Sequence, residues 1–152
     1  MNNETTYEQE LERTGELIYT TTGRSMRPFL RSGEDLFRIV RKTEARCQKY
    51  DAVLYRRDSG KYVLHRIVRV HPRTYTLCGD NCDYLEHGIR DDQILGILTH
   101  VIRQGKPIDV NAPGYRNMIK LWCALYFLRA PIITVRGKFV GLWLKIKRIA
   151  NR

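Results

Sequence analysis

The sequence predicts a mainly β fold, antiparallel and partly barrel-like, followed by two C-terminal helices. Between residues 17 and 103, short runs of β-branched and aromatic residues alternate with turn-forming residues, a pattern typical of antiparallel strands. After Pro107 the apolar residues recur at helical spacing instead. We therefore expect a β domain with a short N-terminal helix over residues 1–110, and a basic amphipathic helical extension over 111–152.

Each element has its own local signal. A short helix is predicted over residues 6–14, ended by Gly15. The first strand follows at Leu17–Thr22, and further strands are predicted at Asp35–Arg41, Ala52–Arg56, Tyr62–Val70, Tyr75–Cys78 and Ile94–Arg103. The segments between these runs are rich in Gly, Asn, Asp, Ser and Pro, which are the residues that turns require.

Two amphipathic helices are predicted near the C-terminus, separated at Ala130-Pro131. The first has apolar residues Met118, Leu121, Trp122 and Leu125 at helical spacing, and the second has Phe139, Leu142, Trp143, Ile146 and Ile149. Lysines and arginines fall on the other side of the second helix. Such a helix suits an anionic membrane surface, and equally suits packing on the β domain. The sequence leaves both interpretations open.

Composition narrows the class of protein without choosing one. Lys and Arg outnumber Asp and Glu by 27 to 16 in 152 residues, a formal charge of +11, which attracts nucleic acid, acidic peptides or an anionic membrane. The cysteines, at positions 47, 78, 82 and 123, have irregular spacing and are expected to be reduced. Cys78, Cys82 and His87 make only a weak metal-site pattern, so neither a metal nor an organic cofactor is expected.

The chain shows no apolar signal-peptide segment at its N-terminus. No stretch reaches the roughly eighteen apolar residues that a membrane-spanning helix needs. We therefore expect a cytoplasmic protein, or one peripheral at a membrane surface. The sequence carries no indication of the oligomeric state.

Three segments carry the chemistry. The first contains Gly23-Arg24-Ser25-Met26-Arg27-Pro28; the second pairs Tyr50-Asp51-Ala52-Val53 with His65-Arg66-Ile67-Val68; the third contains Gly79-Asp80-Asn81. Serine is a poor nucleophile until a base removes its proton. A histidine within an apolar strand is commonly only a core residue, and His65 taken alone would be interpreted that way.

The order of these segments changes that interpretation. Gly-x-Ser-Met-x-Pro, then Tyr-Asp-Ala-Val, then His-Arg-Ile-Val, then Gly-Asp-Asn resembles the signal peptidase I family and its self-cleaving repressor relatives. The resemblance covers about residues 17–103. It implies a signal-peptidase-type catalytic domain in which Ser25 attacks the scissile carbonyl. The base is Lys in the bacterial enzymes and repressors, whereas His65 at that position is similar to the endoplasmic reticulum and archaeal type.

The resemblance leaves the third catalytic member open. Asp80 matches the family's acidic motif and would orient His65 or hold its turn. In the His-type relatives another acid lies shortly downstream, for which Asp83 and Glu86 are the candidates. A Gly-Asp-Asn turn also forms without any catalytic role.

The nucleophile turn is expected to involve Gly23, Met26 and Pro28. Gly23 stands where some relatives carry a hydroxyl for the oxyanion hole, so the backbone N–H of Ser25 is the expected donor. Met26 and Pro28 would shape the turn, and Met26 would also floor an apolar substrate groove.

The sequence thus predicts a serine endopeptidase that cleaves a leader or signal-like peptide through an acyl-enzyme. The membrane anchor normal for signal peptidases is not seen before Ser25, which favours a narrow substrate range. The alternatives are a catalytically silent peptide-binding module of the same fold and a basic nucleic-acid-binding domain. The latter is not expected, because the tyrosines are too scattered to form a stacking surface.

Overall fold

The computed structural model describes residues 6–20, 22–135 and 143 of the chain. The elements in chain order are α1 (Tyr7–Thr14), β1 (Glu16–Tyr19), β2 (Asp35–Arg41), β3 (Ala52–Arg56), β4 (Tyr62–Val70), β5 (Thr74–Cys78), β6 (Glu86–Arg90), a 3-10 turn (Asp91–Gln93), β7 (Ile94–Arg103), β8 (Lys106–Asp109) and α2 (Pro113–Ala124). A further helix, α3, spans Tyr126–Val135. The strands pair antiparallel throughout, so the predicted mainly β, antiparallel fold is confirmed.

Helix α1 begins and ends on local signals. The Thr6 hydroxyl accepts a hydrogen bond from the Gln9 N–H at 3.3 Å, while Gln9 Oε1 accepts one from the Thr6 N–H at 3.0 Å, which is a capping box. Gly15 ends the helix in the left-handed conformation, with φ 77°. The chain then turns directly into β1.

The sheet has the order β1-β2-β7-β3-β4-β5-β6, and β8 also pairs with β7. Strand β7 is the centre of this arrangement, because β2 covers one edge while β3 and β8 share the other. The sheet is not closed into a barrel, since β1 and β6 lie at opposite ends of this order.

Both faces of β3 are buried. Its first four residues, Ala52, Val53, Leu54 and Tyr55, are each at most 6 % exposed. One cluster, on the side of α1, comprises Leu11, Leu17, Met26, Leu30, Phe37, Ile39, Ala52, Leu54, Leu98, Val101 and Val110. The other comprises Cys47, Val53, Tyr55, Ile67, Tyr75, Leu77, Ile89 and Ile94. Alternation along β3 thus divides the core in two.

Two strands, the end of the first strand and one helix boundary differ from the sequence prediction. Strand β1 ends at Tyr19 and not at Thr22. Strands β6 and β8 were not predicted, because they are short and mostly polar and bury little apolar surface. The break between helices lies at Leu125 and not at Ala130-Pro131, since Pro131 falls inside α3. The predicted second helix with Phe139 to Ile149 lies outside the described residues apart from Trp143.

Helices α2 and α3 meet at a bend of 67°. Among the described residues no single helix is long and apolar enough to cross a membrane, although the bent pair together reaches that length and composition. Several apolar side chains on the pair face solvent: Met118, Leu121, Leu125, Phe127, Leu128, Ile132 and Val135.

Candidate active site

Ser25 lies in a tight turn between β1 and β2. The turn is closed by hydrogen bonds from the Arg27 N–H to the Arg24 carbonyl at 3.3 Å and from the Leu30 N–H to the Met26 carbonyl at 2.9 Å. Met26 and Leu30 are buried in the core cluster on the α1 side. These two apolar anchors hold the turn on the sheet and leave Ser25 half-buried at its surface.

The Gly79-Asp80-Asn81 loop is bonded directly to this turn. The Asn81 N–H donates to the Ser25 carbonyl at 2.7 Å, and Asn81 Nδ2 donates to the Arg24 carbonyl at 3.3 Å. The loop itself is tightened by a hydrogen bond from the Cys82 N–H to the Gly79 carbonyl at 3.0 Å. The first and third sequence segments are therefore joined by main-chain contacts.

Gly79 provides the space in which Ser25 and His65 approach each other. A Cβ placed on Gly79 would lie 2.8 Å from the Ser25 carbonyl oxygen, 3.0 Å from His65 Nε2 and 2.5 Å from Cys82 Sγ. These distances are shorter than van der Waals contact, so only glycine fits here. The Ser25 carbonyl oxygen and His65 Nε2 thus both lie within 3.0 Å of one point beside Gly79.

His65 is held in β4 opposite Val53 and is only 2 % exposed. Its Nδ1 lies 2.8 Å from Glu86 Oε1, an approach too bent to make a good hydrogen bond. Burial lowers the pKa of His65 below its ordinary value; Glu86 opposes this shift and Arg57 adds to it. The imidazole is therefore neutral at pH 7, with Nε2 on the Gly79 side.

Glu86, at the start of β6, is shared between His65 and Arg57. Arg57 Nε and Nη2 donate to its two carboxylate oxygens at 2.7 and 2.6 Å. Burial alone would raise the pKa of Glu86, but the hydrogen bonds from Arg57, together with the nearby Tyr55 hydroxyl, outweigh burial and lower that pKa. Glu86 is thus an ionised carboxylate at neutral pH.

The other two candidate acids point elsewhere. Asp80 is fully buried and accepts two hydrogen bonds from Arg66, at 2.8 and 2.7 Å. Asp83 is exposed and its carboxylate accepts a hydrogen bond from Thr134 Oγ1 at 2.5 Å. Of the three acids raised by the sequence, Glu86 is the one whose carboxylate contacts His65.

Side chains of helices α2 and α3 form hydrogen bonds to the loop that begins at Gly79. Trp122 Nε1 donates to the Asp80 carbonyl at 2.8 Å, and Arg129 donates to the same oxygen. The Arg129 guanidinium also stacks on the Trp122 and Tyr126 rings, and the Tyr126 hydroxyl donates to the Asp83 carbonyl at 3.0 Å. In one straight helix Trp122 and Arg129 would lie about two turns apart, whereas on either side of the bend at Leu125 both donate to the same oxygen.

The remaining predicted turn residues have distinct positions. Gly23 is exposed ahead of Ser25, and Pro28 is exposed after it, joined to Arg27 by a cis peptide bond. Met26 is buried beneath the turn, within the core. The Ser25 N–H donates to no acceptor among the described residues, which leaves it available to a developing oxyanion.

Arg57 is the residue that the sequence did not single out. It lies just beyond β3 in the turn to β4, where an arginine is ordinarily solvated, and its partner Glu86 is 29 positions away. Only the pairing of β3, β4, β5 and β6 brings the two together. In the sequence, the available signal was the acidic residue type at positions 83 and 86. It indicated the carboxylate partner, Glu86, and gave no indication of Arg57.

Comparison of the chain with protein-family models, with curated proteins and with solved structures finds no match in any of the three. No group of three His, Cys, Asp or Glu side chains among the described residues is arranged to hold a metal ion. The four cysteines are free.

Proposed function

We propose that this protein is a serine endopeptidase in which Ser25 is the nucleophile, His65 the general base and Glu86 the acid behind it. The observation that supports it most directly is that His65 Nε2 and the Ser25 carbonyl oxygen both lie within 3.0 Å of one point beside Gly79. A buried neutral imidazole beside a half-buried serine is the arrangement that nucleophilic catalysis uses. The resemblance of the three segments to the signal peptidase family points the same way.

The proposed reaction has two steps: acylation of Ser25, and hydrolysis of the acyl-enzyme. His65 Nε2 takes the Ser25 hydroxyl proton while Oγ attacks the scissile carbonyl carbon, and the oxyanion is stabilised by the Ser25 N–H. The C–N bond then breaks, and the imidazolium gives its proton to the leaving amine. Water repeats the sequence on the acyl-enzyme, with His65 first accepting and then returning a proton to Ser25 Oγ.

Glu86 stabilises the imidazolium that forms between these steps. Its negative charge, 2.8 Å from Nδ1, favours a proton on that nitrogen and so leaves the lone pair on Nε2. Arg57 holds the carboxylate in place but also shares its charge. His65 consequently stays neutral until the hydroxyl proton arrives.

The substrate is proposed to bind as an added strand. β1 is an end strand of the sheet, and an extended peptide pairs readily with such an edge. Beside it lies a cleft of about 190 Å³ lined in part by Leu17, Tyr19, Thr22 and Leu64. A cleft of this size, lined by aliphatic and tyrosine side chains, suits small side chains next to the cut, as in a leader or signal-like peptide.

The test is cleavage of a diverse peptide library by purified protein beside Ser25→Ala and His65→Ala. Both variants should lose cleavage, whereas Ser59→Ala and His100→Ala, which change the same residue types away from the site, should retain it. Far-ultraviolet circular dichroism checks that each variant is folded. Cleavage that survives Ser25→Ala would overturn the proposal. Binding of peptides without cleavage by the wild type would favour the silent peptide-binding module.

Attachment to an anionic membrane surface is a further part of the proposal. Phe127 is 85 % exposed and Leu128 69 % exposed on α3, and neither is covered by a described residue. Apolar side chains of this kind on a strongly basic chain suit insertion into the headgroup region. This attachment would account for the apolar surface of α2 and α3.

Co-sedimentation with phosphatidylserine vesicles tests the attachment. Wild-type protein should bind, and Phe127→Asp with Leu128→Ser should weaken binding. Val70→Asp changes an exposed apolar residue on β4 and should bind as the wild type does. Equal sedimentation of all three proteins would exclude a role for α3.

A further inference from the structure

The turn that carries Ser25 is surrounded by arginines. Arg24 and Arg27 are exposed, and their side chains bond to no described residue. Arg31 lies 3.6 Å from Glu34, but both side chains are at least half exposed, at 50 % and 61 %. A surface ion pair of this kind contributes little, so Arg31 is also available to a ligand.

Two of these arginines line a cleft beside the nucleophile. The cleft measures about 430 Å³ and is lined by Arg27, Pro28, Arg31, Glu34, Asn81 and Trp122. Asn81 in its wall donates to the Ser25 carbonyl, and Trp122 donates to the Asp80 carbonyl. The cleft therefore borders the turn that carries Ser25.

The acids near this cleft are mostly neutralised, whereas the arginines are not. Asp80 is paired with Arg66, and Asp35 is paired with Arg103. Glu34 is the one carboxylate that lines the cleft. The local surplus is positive, in a chain whose formal charge is +11.

We infer that the site selects acidic peptides, with an Asp or Glu side chain within a few residues of the cut held by Arg27 and Arg31. Guanidinium groups bind carboxylates through paired, charge-assisted hydrogen bonds. This inference rests on the proposed function, since it assigns a substrate class to the same site. The cleft beside β1 and the cleft lined by Arg27 and Arg31 would then bind different residues of one peptide.

The first arm of the test measures binding without cleavage. Ser25→Ala protein is titrated with two fluorescent peptides that share their apolar residues and differ only in carrying Asp and Glu or Lys. The acidic peptide should bind about tenfold more tightly at low salt, and the difference should shrink as salt rises. Equal affinity for the two peptides would overturn the inference.

Variants test which arginines bind the acidic peptide. Arg27→Ala and Arg31→Ala should each weaken binding of the acidic peptide, and Arg27→Glu should favour the lysine peptide. Arg73→Ala is the matched control, because Arg73 is an exposed arginine without a bonded partner in the turn between β4 and β5. It should leave affinity unchanged. Equal loss in Arg73→Ala would show that only net charge matters, and would contradict the assigned cleft.

The second arm separates this inference from the proposed function. Wild-type protein is given both peptides, and cleavage is followed by mass spectrometry. Equal cleavage of the two would overturn the inference and leave the peptidase standing. Tight binding of the acidic peptide with no cleavage would support the cleft and contradict the peptidase. Single-stranded DNA of equal charge that displaces the acidic peptide at lower concentration would overturn the inference in favour of a nucleic-acid ligand.

Discussion

His65 and Arg66 are neighbours in β4, and each faces an acid, yet the two pairs are built differently. Arg66 donates to both oxygens of Asp80 and to the Tyr50 carbonyl, so each of its three guanidinium nitrogens makes a hydrogen bond. Burial alone would lower the pKa of Arg66, but Asp80 outweighs burial and raises it. For His65 burial prevails over Glu86, and the pKa falls.

The difference follows from how each acid is shared. Asp80 gives both carboxylate oxygens to Arg66, whereas Glu86 is already held by Arg57 when it meets His65. An ion pair in which both carboxylate oxygens bind one guanidinium stays charged and has a structural role. A shared carboxylate leaves the imidazole neutral and able to accept a proton. We therefore expect Asp80 to matter for stability and Glu86 for chemistry.

The largest expected effect comes from breaking the Arg66 pair. Asp80→Ala leaves a buried guanidinium without its partner, which should lower the free energy of unfolding by about 3–5 kcal/mol. Urea denaturation measures it, with Asp92→Ala as the control, since Asp92 is exposed and its ion pair with Arg90 lies at the surface.

A double variant then tests whether Asp80 has a chemical role as well. Arg66→Met with Asp80→Leu removes both charges and should recover much of the stability. A folded double variant that cleaves peptides would support the structural interpretation of Asp80. A stable but inactive one would return Asp80 to the catalytic group.

The next largest effect is expected from filling the space beside Gly79, between the Ser25 carbonyl and His65 Nε2. Gly79→Ala should lower stability by about 1–3 kcal/mol and abolish cleavage, because its Cβ would collide with the Ser25 carbonyl and His65 Nε2. Thermal denaturation and the cleavage assay measure the two effects. Gly114→Ala is the control, because a Cβ there meets nothing within 4 Å. Unchanged cleavage in Gly79→Ala would place the reaction elsewhere.

A smaller effect is expected from neutralising the shared acid. Glu86→Gln should reduce cleavage by less than the roughly 10²–10⁴-fold that loss of a general base costs, because His65 remains but its imidazolium loses support. Peptide cleavage rates of Glu86→Gln and His65→Ala, compared side by side, measure this. Glu44→Gln, at an exposed position, should match the wild type. A larger loss for Glu86→Gln than for His65→Ala would contradict the assigned roles.

The smallest effect is a shift in pH dependence. Because burial lowers the pKa of His65, NMR titration should place its midpoint below the ordinary value of about 6.5, and cleavage should rise with pH through that midpoint. The stability that neutral His65 contributes is present above about 6.5 and is lost as pH falls through the folded-state pKa. In Glu86→Gln the midpoint should move lower still. A midpoint at or above 6.5 would contradict this account.

Much of the fold followed from local pattern. Strands β2, β3, β4 and β7 begin and end where the sequence predicts them, because alternation and turn residues bound them clearly. Strands β6 and β8 escaped prediction since they pair at the margins of the sheet and bury few apolar residues. The helix break escaped it because Pro131 is a strong local signal, whereas the contacts of Trp122 and Arg129 with the Asp80 carbonyl are not visible in sequence.

The sequence by itself determined the strand-rich class and raised Ser25, His65 and three acids as candidates, since residue type and order are local properties of the chain. Which acid contacts His65 was decided only by tertiary structure. Asp80 and Glu86 are six positions apart, and the path of the chain from β5 into β6 turns one toward Arg66 and the other toward His65. That choice depends on long-range strand pairing, which no local pattern encodes.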